Sequence, residues 1–262
     1  MTTTIAIANQ KGGVAKTTTA ISLAGALIKL GHEVLAVDLD AQANLTLSMK
    51  VDPTRVRSSI ANVLLESASM DSVSRETEIS GLDLIPSNSE MQLAERFLSI
   101  RKNYERILKH SLESRSGSYA YDYVILDCPP SMGAVTLNAL VAANLLIIPT
   151  QPEYFSAHAL RIMLAAVRRV RNQYRPDLAY RILITMRDSR NRIHRNLSTQ
   201  IQSTFGEEVF QTVIDTDTKL RESAVTGLPI AFFNRRTRSA LQYQALAEEL
   251  IRYVQEKITQ PA

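Results

Sequence analysis

The chain has 262 residues, of which 45% are hydrophobic, and a formal net charge of +4. This length and apolar content can bury one large core, so we expect a single domain over residues 1–262. No apolar run approaches the roughly 20 residues of a membrane span, and the N-terminus lacks the pattern of a signal peptide. The single cysteine, Cys128, excludes an intrachain disulfide and a cysteine-based metal cage. These features predict a soluble, cytoplasmic protein.

The segment 9–19 carries the clearest functional signal. It reads NQKGGVAKTTT and lies between an apolar run at 4–8 and a helical pattern at 21–30. Successive backbone N–H groups between a strand and a helix N-terminus form a phosphate-binding site. We expect Lys16 at the terminal phosphates and the Thr17 hydroxyl on Mg²⁺. The candidate nucleotide contacts are Lys11, Gly12, Gly13, Val14, Ala15, Lys16, Thr17 and Thr18.

This loop departs from the strict pattern G-x-x-x-x-G-K-[ST], because Gln10 and Ala15 occupy its two glycine positions. It resembles the deviant form K-G-G-x-G-K-[ST], in which Lys11 is an additional lysine. A Gly-Gly turn that binds nothing is the alternative. That alternative requires two lysines, two glycines and a threonine to match the pattern by accident.

Carboxylates follow two further apolar runs. The run 33–38 ends in Asp38 and is followed by Asp40, and the run 121–127 ends in Asp127 before two prolines. A buried strand that ends in Asp can deliver one carboxylate towards Mg²⁺ beside a phosphate loop. An ordinary Asp-rich turn is the alternative for Asp38 and Asp40.

Strand and helix patterns alternate along the chain and predict an α/β fold, with a mostly parallel sheet and helices on both faces. Ligands in such sheets bind beyond the carboxyl ends of the strands, where the loop and the three carboxylates converge. Further helices are predicted at 58–66 (with Ser58 or Ser59 as N-cap), 89–112 (one helix or a pair), 133–143, 156–174, 194–204 and 239–258. Further strands are predicted at 82–86, 145–149, 181–185 and 209–214, with irregular chain at 67–80 and loops at 114–118 and 186–192.

Positive charge is concentrated between residues 161 and 195. This segment holds ten arginines, opposed only by Asp177 and Asp188. One face of the protein is therefore expected to be basic, although a solvated helix surface is the simpler explanation for any single arginine of the predicted helix 156–174.

Together these segments resemble the ParA/Soj partition ATPases, of the short chromosomal type. The resemblance lies in residues 9–19, in VLAVDLDAQANLT (34–46), DYVILDCPPS (122–131) and PTQPEYFSAHAL (149–160), and in the ending at 227–230. It implies a P-loop fold of the deviant type, hydrolysis of ATP with Mg²⁺, and a homodimer that forms with ATP. It also implies non-specific DNA binding on the nucleoid and stimulation by a ParB-like partner or another cargo adaptor.

The resemblance assigns roles to particular residues. Lys11 would reach ATP held by the second subunit, and Asp40 would position the attacking water. Mg²⁺ would bind Thr17 directly and Asp38 and Asp127 through water. The family's DNA-contact positions fall on Arg190 and Lys219, and Arg168 and Arg171 are further DNA-binding candidates.

The chain departs from the family pattern at five positions. Asp215 and Asp217 occupy the adenine-contact positions, where the family usually has Pro and Asn. Ala15 and Ala43 replace glycines, and Ala41 replaces a proline. If the backbone at Ala15 needs a positive φ, alanine costs on the order of 1 kcal/mol there.

Three other functions remain open on the sequence. A MinD-like membrane ATPase would need a basic amphipathic helix at the C-terminus. An ATPase similar to the nitrogenase iron protein would need two cluster cysteines. A scaffold that positions a protein assembly on the nucleoid would keep the same ATPase cycle and differ only in its cargo.

Overall fold

One sheet organises the computed structural model, which describes residues 2–114, 121–154 and 156–258. In these residues the sheet has seven strands in the order β3-β4-β2-β5-β1-β6-β7. The strands are β1 Thr3–Ile7, β2 Val34–Asp38, β3 Arg75–Glu76, β4 Leu82–Ile85, β5 Tyr123–Asp127, β6 Leu145–Thr150 and β7 Ala179–Ile184. Every pairing is parallel except that of the short β3 with β4. The predicted mostly parallel α/β sheet is confirmed.

Helices cover both faces of this sheet. They are α1 Lys16–Lys29, α2 Asn44–Leu47, α3 Ile60–Glu66, α4 Met70–Val73, α5 Met91–Phe97, α6 Ile107–Glu113, α7 Ala134–Ala142, α8 Ser156–Gln173, α9 Arg192–Phe205, α10 Lys219–Thr226, α11 Ile230–Phe233 and α12 Arg238–Tyr253. Alternate residues of β1 separate the two cores: Ala6 packs with α3 and α5–α8, whereas Ile5 and Ile7 pack with α1 and α12. This alternation follows from the two-residue period of a strand.

The strand predicted at 209–214 is wrong. The segment runs beside β7 and donates to it from the N–H groups of Phe210 and Ile214, each at 2.9 Å, but forms no continuous ladder, only an isolated bridge of Val209 with Ile182. The backbone N–H groups of Gln211 and Thr212 donate instead to the Glu249 carboxylate on α12, at 2.7 and 2.9 Å. A side chain from a distant helix has therefore taken the hydrogen bonds that a strand ladder would need.

The other predicted helices and loops differ less from the structure. Ser59 is the N-cap of α3, as predicted, and makes a capping box with Asn62. The predicted helix or pair at 89–112 is α5 and α6, separated by 3₁₀ turns at Leu98–Ile100 and Tyr104–Arg106. The chain at 67–80, predicted as irregular, contains α4 and β3. The predicted loop at 114–118 lies outside the described residues except for Ser114.

Two alanines adopt the left-handed conformation that favours glycine. Ala15 has φ 65° and precedes α1, and Ala43 has φ 52° and precedes α2. Both stand where the resembled family has glycine. The sequence left open whether Ala15 is already helical, and the structure shows that it is not. Each alanine therefore carries a conformational cost of about 1 kcal/mol.

We predict that Ala15→Gly raises the free energy of unfolding by about 1 kcal/mol, or about 2–4 °C in Tm, because glycine removes the Cβ clash at positive φ. Thermal unfolding measures the change. Ala245→Gly, at an exposed position within α12, should lower the free energy by about 1 kcal/mol, since glycine weakens a helix interior. A fall in stability for both variants would contradict the prediction.

Candidate functional site

The candidate site lies at the carboxyl ends of β1, β2 and β5. The register pairs Asp127 of β5 with Ile7 of β1 on one side and with Asp38 of β2 on the other. The loop at residues 8–15 follows β1 directly, and Asp40 follows β2. The structure thus brings together, at the carboxyl ends of these three strands, the segments that the sequence patterns placed there.

The loop before α1 is held in place by side chains on both sides. Asn9 donates to the carbonyl of Pro149 at 2.7 Å and accepts from the Lys11 N–H at 3.1 Å. The Thr185 hydroxyl donates to the carbonyl of Val14 at 3.1 Å. Gly12 and Gly13 are exposed, so the backbone N–H groups there are open to a ligand. A fixed loop at the start of a 14-residue helix is suited to bind an anion.

Lys16 is the buried cation of this site. Its side chain is only 8% exposed, and its Nζ lies 3.5 Å from the carbonyl oxygen of Lys11. Burial lowers the pKa of Lys16, while the charges of Asp127 and Asp40 oppose that shift. A cation with so little water around it gains strongly from a nearby phosphate.

The two register-paired aspartates are both buried but have opposite surroundings. Asp38 accepts hydrogen bonds from the Thr46 N–H at 2.9 Å, the Thr46 hydroxyl at 2.7 Å and the Asp40 N–H at 3.1 Å. Neither carboxylate oxygen of Asp127 has a hydrogen-bond partner of good geometry. The hydrogen-bonding capacity of the Asp38 carboxylate is therefore met within the described part of the chain, whereas that of Asp127 is not.

The pKa values follow this difference. Burial raises the pKa of Asp38 to about 6, against the hydrogen bonds from Thr46 and Asp40. Burial, and then the charge of Asp38, raise the pKa of Asp127 well above its ordinary value. The Thr17 side chain and the Lys16 charge lower the Asp127 pKa only in part. The charge of Asp38 thus disfavours ionisation of Asp127, and the charge of Asp40 disfavours ionisation of Asp38.

These surroundings fit a magnesium ion. A buried carboxylate that has no partner of good geometry among the described residues needs a positive charge nearby, and Thr17 and Asp127 supply oxygen atoms of the kind that Mg²⁺ and its bound water prefer. Within the described part of the chain, no three His, Cys, Asp or Glu side chains gather into a full metal cage. That is expected for Mg²⁺, which uses one or two carboxylates together with substrate phosphates and water.

Asp40 is half-buried beside this pair, and its main chain is fixed. The Ser87 hydroxyl donates to its carbonyl at 2.7 Å, and its Oδ1 accepts from the Gln42 N–H at 2.9 Å. Ser87 in turn donates its N–H to the Thr46 hydroxyl at 2.9 Å. Asp40 is therefore held by the same network that satisfies Asp38.

Lys11 makes an ion pair that the sequence patterns did not show. Its Nζ lies 2.5 Å from Oε2 of Glu153, in the loop between β6 and α8. The two side chains remain 27% and 41% exposed, so water screens the pair. In this state Lys11 points to its own chain.

The predicted adenine contacts also bind their own chain. The carboxylate of Asp215 accepts from Arg187 Nε at 2.7 Å and from Gln242 Nε2 at 3.0 Å. The carboxylate of Asp217 accepts from the Lys219 N–H at 3.0 Å and from the Ser239 N–H at 3.3 Å. These bonds join residues 215–219 to α12.

The predicted DNA-binding residues differ in their exposure to solvent and in the partners of their side chains. The side chain of Arg190 is 90% exposed and pairs with Asp188 at 3.2 Å. Lys219 and Arg168 are also exposed, and Lys219 pairs with Glu222 at 2.6 Å. Arg171 is half-buried and donates its Nε to the carbonyl of Leu178 at 2.7 Å, which gives it a structural contact.

The expected basic face is smaller than the arginine count suggests. Six of the ten arginines are exposed, namely 161, 168, 169, 190, 192 and 195. The other four have partners in the fold: Arg171 bonds Leu178, Arg175 bonds Val141 and Ala142, Arg181 stacks on Tyr253, and Arg187 pairs with Asp215.

Sequence reasoning missed four residues of this region: Thr46, Ser87, Glu95 and Glu153. Thr46 and Glu153 lie inside segments that carried the family resemblance, so their positions could have been singled out. Ser87 and Glu95 act across the fold: Glu95 accepts from the Ser131 hydroxyl at 3.0 Å and the Val135 N–H at 3.3 Å. No local pattern marks such long-range contacts.

Comparisons with known proteins agree on one group of relatives. A family model described as an AAA domain matches residues 2–180. The chain is 36% identical over 247 residues to the sporulation initiation inhibitor protein Soj of Bacillus subtilis, covering 94% of this chain and 97% of Soj. It is 34% identical over 250 residues to the chromosome partitioning protein ParA of Caulobacter vibrioides, covering 94% and 93%.

A solved structure extends the likeness to the fold. It is that of a Mycobacterium smegmatis protein described as cobyrinic acid a,c-diamide synthase, with bound ATP analog and magnesium. It superposes with a TM-score of 0.87 and 33% identity, over 100% of this chain and 99% of the other. Among the described residues of this chain, no helix is both long and apolar enough to span a membrane.

We predict that Asp127→Asn raises the Tm of the metal-free protein at neutral pH. The pKa of Asp127 is raised above its ordinary 3.8, so the folded chain keeps this proton at pH values where the unfolded chain has lost it. The free energy of unfolding therefore falls as pH rises from about 4, and asparagine removes that fall.

The rise in Tm caused by Asp127→Asn should shrink as the pH is lowered towards 4. Mg²⁺ with nucleotide should raise the Tm of the parent more than that of the variant. Glu207→Gln, which removes an exposed carboxylate, is the control and should change neither the Tm at neutral pH nor the response to Mg²⁺ with nucleotide. A variant less stable than the parent at neutral pH would contradict the prediction.

Proposed function

The chain belongs to the ParA/Soj family of partition ATPases, and we propose that it is a switch in which ATP controls dimerisation and DNA binding. The resemblance predicted from the sequence motifs is confirmed. Family membership makes the protein an ATPase that uses Mg²⁺ and positions a cargo. We propose further that residues 1–262 act as one such ATPase domain.

The observation that carries this proposal is the chemistry at the carboxyl ends of β1, β2 and β5. A loop with exposed backbone N–H groups lies there with a buried Lys16 and a buried Asp127, which has no hydrogen-bond partner of good geometry among the described residues. Phosphoryl transfer needs charge neutralisation and positioning more than it needs covalent chemistry. A polyphosphate with Mg²⁺ would satisfy each of these groups at once.

Each side chain has a proposed part in hydrolysis. The loop N–H groups and Lys16 would hold the phosphates, and Thr17 would hold Mg²⁺ directly, with Asp127 and Asp38 acting through water. Bound Mg²⁺ supplies neutralisation of the negative charge on the phosphate oxygens. Asp40, held by Ser87 beside this group, positions the attacking water. Lys16 stabilises the negative charge that develops at the terminal phosphate.

Lys11 is the proposed link to a second subunit. In one chain its ammonium pairs with Glu153, but an exposed ion pair contributes only about 0–1 kcal/mol. A multiply charged phosphate of ATP bound in the second subunit can displace that carboxylate. Lys11 would then couple ATP binding to dimerisation.

The ATP dimer is proposed to bind DNA without sequence preference. Arg190 and Lys219 are exposed, as are Arg168 and four more arginines of the basic segment. Neither a helix-turn-helix nor a zinc-binding pattern occurs, so phosphate contacts carry the affinity. Dimerisation doubles these contacts, and ATP can control DNA binding without a large change of shape.

The cargo and the stimulating partner complete the proposed cycle. A ParB-like protein or another cargo adaptor stimulates hydrolysis and releases the protein from the nucleoid. The cargo is a chromosome, a plasmid or a protein assembly. The same ATPase cycle serves all three.

The Mycobacterium smegmatis structure raises a synthase as a second possibility. If nitrogen for an amide were released from glutamine by a thiol nucleophile, Cys128 would have to supply the thiol. Cys128 is 1% exposed, and burial raises its pKa, so it is a poor nucleophile. This environment favours the ATPase switch.

We predict that Lys11→Ala abolishes the ATP-dependent dimer but retains ATP binding, because Lys11 acts on the second subunit. Size-exclusion chromatography with ATP and Mg²⁺, together with nucleotide binding, measures the two properties. Lys16→Ala should weaken nucleotide binding itself by about 100-fold, and Lys109→Ala, on the surface of α6, should change neither. A Lys11→Ala protein that still dimerises would refute the role in the second subunit.

We predict that Arg190→Glu abolishes DNA binding and leaves the ATP dimer intact, because it replaces a phosphate-binding charge by a repelling one. Fluorescence anisotropy with a labelled duplex over a salt series measures the affinity. Removing one contact should lower the log–log salt slope by about one and weaken all sequences alike. Arg55→Glu is the matched control, since the two arginines are 87% and 90% exposed. Unchanged binding by Arg190→Glu would move the DNA surface to Arg168 and its neighbours on α8.

A further inference from the structure

One face of α5 exposes large apolar side chains to water. Leu93, Phe97 and Ile100 are 46%, 52% and 76% exposed. They follow one another at helical spacings of four and three residues, so they share one side of the helix and of the turn that continues it. Met91, Ala94 and Leu98 fill the opposite side and are buried in the core. We call the exposed set Leu93, Phe97 and Ile100 the α5 face.

Most exposed charges beside the α5 face are positive. Arg96, Lys102 and Arg106 are exposed, and they outnumber the exposed acid Glu90, which is the N-cap of α5. The two acids between residues 93 and 106 are engaged elsewhere: Glu95 accepts from Ser131 and Val135, and Glu105 accepts from the Tyr174 hydroxyl at 3.1 Å. The α5 face is therefore apolar with a basic margin.

We propose that the α5 face docks an acidic amphipathic helix of a partner protein. Three apolar residues at helical spacing accept the apolar side of another helix, and the basic margin selects acidic flanks. DNA does not suit the apolar centre. A second copy that used the same face by two-fold symmetry would bring two basic margins, each with Arg96 and Lys102, into one interface. The charge pattern therefore favours a different, acidic chain.

Glu95 couples a helix docked here to the candidate site at the carboxyl ends of β1, β2 and β5. On the core side of α5, the Glu95 carboxylate bonds Ser131, four residues after Asp127, and caps the start of α7 at Val135. A cavity of about 340 Å³ lies between α5 and the loops after β2 and β5, lined among others by Asp40, Arg96 and Pro129. Glu95 is thus a positioning residue between the α5 face and those loops. This coupling rests on the proposed ATPase function.

Docking is tested first without nucleotide or DNA, so its failure is separate from a failure of the proposed function. The probe is a fluorescein-labelled amphipathic peptide of about 20 residues, with leucines on one face and glutamates elsewhere. The control peptide has lysine in place of each glutamate. Anisotropy should show that the protein binds the acidic peptide at least about tenfold more tightly than the basic one.

Variants then locate the site. Phe97→Glu and Ile100→Glu should each weaken binding of the acidic peptide by about tenfold or more. Val225→Glu, at a residue that is 88% exposed on α10, should bind like the parent. The double variant Arg96→Glu with Lys102→Glu should reverse the preference towards the basic peptide. Equal binding of both peptides, or unchanged binding by Phe97→Glu and Ile100→Glu, would overturn the proposal.

Two other occupants give different results, and each would overturn the proposal. Co-sedimentation with vesicles of phosphatidylglycerol that is lost in Phe97→Glu, without peptide binding, would assign the face to a membrane. Loss of the ATP dimer in Phe97→Glu, without peptide binding, would assign it to a second copy of this chain.

The coupling has its own test, because a Cβ on Gly133 would overlap the Glu95 carboxylate and displace it. Gly133→Ala should bind the acidic peptide like the parent. The peptide should change ATP turnover of the parent by about twofold or more and leave turnover of Gly133→Ala unchanged. An equal response of the two proteins would refute the role of Glu95.

Discussion

The constraint on which the site depends is the pairing of two carboxylates at neighbouring strand ends. The register that builds the sheet fixes Asp38 beside Asp127, and both are buried. The fold supplies three hydrogen bonds to the first and none of good geometry to the second. A buried carboxyl group in such surroundings destabilises a fold at neutral pH, whether it is ionised or keeps its proton, so the metal-free protein is less stable than its packing allows. A cation with phosphates relieves this cost, and ligand binding is thereby linked to stability.

The two loops beside these carboxylates also contain strained backbone. Ala15 and Ala43 begin α1 and α2 from the left-handed region, although neither is glycine. A residue other than glycine keeps this backbone conformation only where several surrounding contacts hold it in place. For Ala15 these surroundings are the bonds of Asn9 and Thr185 to the loop, and for Ala43 they are the bonds of Asp38 to Thr46. The site is therefore fixed by the strands and helices behind it and does not need a ligand to form.

Much of this architecture could be predicted from the sequence, because its causes are local. Apolar runs that end in Asp indicate buried strands, and a Gly-Gly loop before a helical pattern indicates an anion site. The errors arose where distant residues compete for the backbone. Glu249 takes two N–H groups from the segment 209–214, and no pattern within that segment reveals it. The size of the basic face was overestimated for a similar reason, because a count of charges does not show that Arg175 and Arg187 have partners within the fold.

Contacts that are weak and exposed surround a centre that is rigid and buried. The Lys11–Glu153 pair is partly open to water, and so are the pairs of Arg190 with Asp188 and Lys219 with Glu222. Water screens each of these pairs, whereas a multivalent phosphate or a DNA backbone offers several charge-assisted bonds. A ligand shifts an equilibrium only by its differential affinity for the two states, and weak internal pairs leave that difference large. The same lysines and arginines can therefore remain paired within one chain and still be available to a nucleotide, a second subunit or DNA.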